Sequence, residues 1–156
     1  MADPAAPAEV DFTVYQGQDW SALVELFTDA AQSIHYDLTG CEIDMHIREG
    51  VADSDAEVEA ALSTRSTGDG AGRIAIVGRN SAGTADGDSA AVPSDGVFKL
   101  IIAAAVSKAM VPAKKPKKGS AQTHEFVYDI EITDAAGLTV RVMRGVLTVD
   151  FEVTRV

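Results

Sequence analysis

From His124 to Thr133 the chain alternates between apolar and polar positions. His124, Phe126, Tyr128, Ile130 and Ile132 fall on one side, and Glu125, Asp129 and Glu131 fall on the other, where Val127 is the one apolar exception. A period of two marks a strand with one buried and one solvated face. Asp134, Ala135, Ala136 and Gly137 supply turn residues, and residues 138–156 return as a second arm. The expectation is a long β-hairpin, ending so near Val156 that no room remains for an appended domain. In the returning arm Leu138, Val140 and Val142 share one parity, while Leu147, Val149, Phe151 and Val153 share the other. Such a switch turns side chains to the wrong face unless one extra residue is absorbed. Arg144 and Gly145 lie between the two sets, and glycine tolerates the backbone angles of a bulge, so a β-bulge is predicted there.

The same pattern recurs upstream. Cys41, Ile43, Met45 and Ile47 alternate with Glu42, Asp44, His46 and Arg48, which predicts a strand with the first set inward. Residues 10–15 alternate too, and in 20–28 Val24 and Leu26 share the face of Trp20. Residues 73–77 and 97–102 read as further strands, and 16–19 and 29–33 as turns. Residues 52–63 fit two patterns. Ser54 and Glu57 match a helix capping box, yet Val58, Ala60 and Leu62 alternate with glutamates, and the neighbouring strands favour strand. Residues 103–110 can close into a short helix, stopped before Pro112. Residues 80–96 have few large apolar side chains and predict an exposed, mobile loop; residues 112–121 predict a second exposed loop. About eight short strands separated by turns predict an all-β, antiparallel β-sandwich with at most one short helix. Trp20 and Tyr128 are candidates for its core, and a buried tyrosine hydroxyl requires a polar partner.

Length sets one domain as the default for 156 residues, here 10–156 preceded by an extended arm at 1–9 that carries Pro4 and Pro7. The arm has neither the basic nor the apolar segment of a secretory signal. No apolar run is long enough for a membrane helix. The formal charge of −11 argues against nucleic acid as a partner of the surface as a whole. One cysteine, Cys41, excludes an internal disulfide. Against the acidic background Lys114, Lys115, Lys117 and Lys118 form the one dense charge cluster, a candidate contact for an acidic patch on another protein.

Candidate chemistry changes the picture little. His35, His46 and His124 lie in separate segments without metal-ligand spacing, and no metal or cofactor is expected. Asp53 and Asp55, and Asp86 and Asp88, do not complete a calcium loop. The glycines of 68–72 are not followed by the lysine of a phosphate-binding loop. Cys41 sits on an apolar face, and Ser107 and Ser120 lack a nucleophile elbow, so no catalytic residue is assigned and the chain is not expected to be an enzyme.

Several segments recur in a familiar order: Val14-Tyr-Gln-Gly-Gln-Asp19, Asp37-Leu-Thr-Gly40 leading into Ile43-Asp-Met-His-Ile-Arg48, Tyr128-Asp-Ile-Glu-Ile-Thr-Asp134, Gly145-Val-Leu-Thr-Val149 and Val153-Thr-Arg155. In that order they resemble small tailed-phage virion proteins related to the N-terminal domain of the phage upper baseplate protein. The resemblance implies an immunoglobulin-like β-sandwich and a non-enzymatic adaptor between tail, baseplate and fibre components. Such a protein would be present in several copies in a symmetric virion assembled in the bacterial host cytoplasm, with other virion proteins as partners and no membrane. The alternatives are a capsid decoration protein or a carbohydrate-binding surface β-sandwich, for which Trp20, Tyr15 and Tyr36 are the candidate aromatic platforms. The long 80–96 loop and the lysine-rich loop depart from the family pattern.

Overall fold

The computed structural model of the chain describes residues 7–49, 58–65, 72–110 and 123–151. It is mostly β. Its strands are β1 (Ala8–Glu9), β2 (Phe12–Tyr15), β3 (Trp20–Glu25), β4 (Glu42–Glu49), β5 (Val58–Ser63), β6 (Arg73–Arg79), β7 (Ala85–Asp86), β8 (Val97–Ile102), β9 (Thr123–Thr133) and β10 (Thr139–Asp150). One short helix, α1 (Ala104–Ala109), follows β8. The strands form a single curled, ten-stranded sheet, a half-barrel, in the order β1-β10-β9-β4-β5-β6-β8-β3; β2 also pairs β10 and β7 pairs β6.

The sheet is mixed, which corrects the purely antiparallel expectation. β10, β9, β4 and β5 are antiparallel neighbours, as are β3, β8 and β6. Among the described residues the two groups join through one parallel bridge, Ser63 to Arg73. β1 and β2 run parallel to β10. β2 and β3 therefore lie toward opposite edges of the sheet, yet only the turn at 16–19 separates them along the chain. So short a link brings the two edges together, and this curls the sheet. Phe12 and Trp20 meet across the gap edge to face, 5.2 Å between ring centroids.

Alternation decides what lies inside the curl. Ile43, Met45 and Ile47 of β4, Phe98, Leu100 and Ile102 of β8, and Phe126, Ile130 and Ile132 of β9 are fully buried in one core. Each side chain of this size contributes about 1.5–3 kcal/mol when removed from water. Cys41 precedes β4 and is only half-buried. β5 resolves the ambiguous segment as strand from Val58 onward; Ser54 and Glu57 lie outside the described residues.

The parity switch in β10 exists, but not at the predicted place. The pairing with β9 slips between Arg141 and Met143, so Val142 is the extra residue. Arg144 pairs Asp129 and Gly145 pairs Tyr128 in regular register, so the bulge predicted at those two residues is corrected. Met143 already belongs to the inward set of Leu147 and Val149, and all three are buried.

Residues 80–96 carry more structure than a bare loop. β7 folds back on β6, a 3-10 turn spans Pro93–Asp95, and Gly96 follows in the left-handed region at φ 66°. A side chain at Gly96 would meet the carbonyl oxygens of Leu26 and Tyr36 at 2.7 and 2.8 Å, so only glycine lets these backbones converge. Many residues of this segment are exposed, as expected. Residues 8–9 of the predicted arm are paired in the sheet as β1.

Candidate functional site

The most elaborated feature is the seam between the N-terminal strands and β10. Ala8 pairs Met143, Glu9 pairs Arg144, and the ladder resumes from Phe12 with Leu147 to Tyr15 with Asp150. Between these stretches Val10 and Asp11 make substitute contacts. The Val10 N–H donates to the Arg144 carbonyl at 3.0 Å. The Val10 carbonyl accepts from the Tyr128 hydroxyl at 2.5 Å. A carboxylate oxygen of Asp11 accepts from the Val146 N–H at 2.9 Å, replacing a backbone acceptor.

Gly145 makes this possible. A Cβ there would sit 1.9 Å from the Val10 carbonyl oxygen. Tyr128 reaches that oxygen from β9, and burial pushes its phenol well above the ordinary tyrosine range, with the Asp11 carboxylate adding to the shift. Tyr128 therefore stays protonated, and a donor, at physiological pH. On the exposed face of the seam the Arg144 and Glu9 side chains pair at 2.7 Å.

The solvent side of β4, β9 and β10 is a network of charges. Asp129 belongs to the outward set, yet it is buried. Arg141 approaches it at 3.0 Å, Arg48 at 3.3 Å and His46 at 3.8 Å. The side chains of the two arginines and the histidine close over the carboxylate, and the two guanidinium groups compensate its charge. Arg65 binds Asp44 and Glu42 beside this group. His124 Nε2 lies 3.0 Å from Glu49 without the alignment of a hydrogen bond.

The other sequence candidates do not converge. His35 packs on Phe27, His46 on Asp129 and His124 on Glu49. Among the described residues no group of three or more His, Cys, Asp or Glu side chains is arranged to hold a metal. Asp86 accepts from the Asp88 N–H and the Ser89 hydroxyl, as a turn residue does. Burial pushes the Cys41 thiol up, away from the reactive thiolate. Ser107 is fully buried and ties α1 to the 16–19 turn: it accepts from Gly17 N–H at 3.0 Å and lies 3.2 Å from the Gln18 carbonyl. Asp19 caps α1 from outside the helix by accepting from the Ala104 N–H at 2.7 Å.

Cavities open on the surface of the described residues, and two of them involve residues singled out above. One, of about 470 Å³, lies at the 134–137 turn beside Tyr36, Asp37 and Cys41. The other, of about 340 Å³, lies on the outer side of β3, β8 and β6.

Pro4, Lys114, Lys115, Lys117 and Lys118 lie outside the described residues; Pro7 is half-buried just before β1. Asp53, Asp55 and Ser120 also lie outside them. Among the described residues no helix is long and apolar enough to cross a membrane. No family model matches the chain. No curated protein matches it either. Sequence reasoning flagged Tyr128 as needing a polar partner but missed Val10 and Asp11, which carry no local signal of pairing with residues so distant in the chain.

Proposed function

We propose that the protein is a non-enzymatic structural component of a tailed-phage virion, an adaptor between tail, baseplate or fibre components, present in several copies in a symmetric assembly. The observation that carries this is the seam. β1 and β2 run parallel to β10. Tension applied before β1 and after β10 then pulls neighbouring strands in opposite senses along their length. It strains many ladder hydrogen bonds together instead of opening them one by one. Gly145, Tyr128 and Asp11 add contacts where the ladder is interrupted. Such a joint suits a part that transmits mechanical load between other proteins.

Strand order also supports an immunoglobulin-like arrangement. The single bridge between β5 and β6 is the weakest join in the sheet. Divided there, β10-β9-β4-β5 matches the G-F-C-C′ order and β3-β8-β6 the B-E-D order of that sandwich. The first strands lie along the last. The segment order resembling phage baseplate-related proteins points the same way, and fold alone would not assign a function.

The arm supplies the test. A variant lacking residues 1–9 loses β1 and the Glu9–Arg144 pair but keeps β2. It is expected to fold and to enter purified particles less efficiently than the full chain. Equal incorporation of both proteins would contradict an assembly role for the arm.

A further inference from the structure

The cavity of about 340 Å³ on the outer side of β3, β8 and β6 brings two cations without carboxylate partners to one place. Arg48, Arg65, Arg79, Arg141 and Arg144 each pair with a carboxylate. Arg73 is the one arginine among the described residues with no such partner, and it lines this cavity together with Lys99, which also has none. Register explains the grouping. Ser21, Ile101 and Arg73 form one row across the three strands, and Lys99 is in the next row. Lys99 is held under the β7 segment, where a Cβ at Gly87 would come within 3.2 Å of its stem and 3.4 Å of its ammonium nitrogen.

The remaining lining is not basic. Ile101 gives an apolar floor and Ser21 a hydroxyl. Asp19 uses one carboxylate oxygen on Ala104 and has a second for a hydroxyl donor. A carboxylate beside two cations opposes a polyphosphate, and the overall charge of −11 opposes any polyanion. What fits is a small ligand with one carboxylate, several hydroxyls and an apolar face. We infer that this cavity binds the carboxylate of an acidic sugar residue, with Arg73 and Lys99 on the carboxylate, Ser21 and Asp19 on hydroxyls, and the ring against Ile101. This activity goes beyond an adaptor role and does not depend on it.

Titration of the isotope-labelled full chain with glucuronic acid and N-acetylneuraminic acid, followed by amide NMR, tests the inference. At least one of them should shift the amides of Ser21, Lys99 and Ile101 in a saturable way, at millimolar affinity, whereas glucose should not. Arg73→Gln, a change at an exposed position, should weaken binding about tenfold without changing the melting temperature, and Ser21→Ala should weaken it less. No saturable shift with either acid, or equal binding of acetate, would overturn the inference. Tighter binding of a glutamate-rich peptide would also overturn it, in favour of a protein partner.

Discussion

A methyl group at position 145 would lie 1.9 Å from the carbonyl oxygen of Val10, so Gly145→Ala must push the N-terminal strand off β10. Overpacking of this kind costs about 1–3 kcal/mol, and chemical denaturation should read it. Tyr128→Phe leaves the same oxygen without its donor and should cost about 1 kcal/mol. Because both changes act on one contact, their effects should not add. pH provides a separate handle. The folded Tyr128 phenol titrates above its ordinary value of 10.0. Above about pH 10 the unfolded chain releases this proton while the folded chain keeps it, so stability is full below that pH and falls as pH rises. Tyr36 is shifted in the same direction by burial. Tyr128→Phe should therefore flatten the alkaline decline of the melting temperature without abolishing it; an unchanged slope would contradict the account. At this scale the sequence was only partly legible. Alternation placed Tyr128 and Ile130 inward, and they are buried. It placed Asp129 outward, toward water, but Arg141 of β10 and Arg48 of β4 cover it, and β4 lies far from β9 along the chain.

The strands themselves were easier to read than the joins between them. β4, β8 and β9 follow from period-two alternation, and α1 from its position before Pro112. The bulge in β10 was legible in kind but misplaced. The conspicuous apolar run of the later parity starts at Leu147, but Met143 already carries that parity. Deleting Val142 tests the correction. Removal of the absorbed residue leaves Val140, Met143, Leu147 and Val149 in regular alternation on one face. The shortened strand should keep a single cooperative unfolding transition and retain hydrogen-exchange protection at Leu147 and Val149. Loss of protection there would show that Val142 is not the extra residue. The parallel placement of β1 and β2 was not legible, because alternation reports which face is buried and not which strand lies alongside.

For the whole molecule, the curl comes from a topological fact: β2 and β3 flank opposite edges and are joined by the short 16–19 turn. A sequence read segment by segment suggests two separate layers, since nothing local announces the single bridge from Ser63 to Arg73. The acidic charge of −11 is legible at once, yet all the described arginines but Arg73 are neutralised in pairs, and Arg73 shares one cavity with the unpaired Lys99. The central claim is that this curled sheet, with its parallel seam, is a component of an assembled virion. If the chain is a phage protein as proposed, cryo-electron microscopy of intact particles of that phage tests the claim most directly. The account predicts density matching the curled sheet at a symmetric position, with the β1–β10 seam joined to neighbouring subunits. Purified, infectious particles that contain no copy of the protein would contradict it.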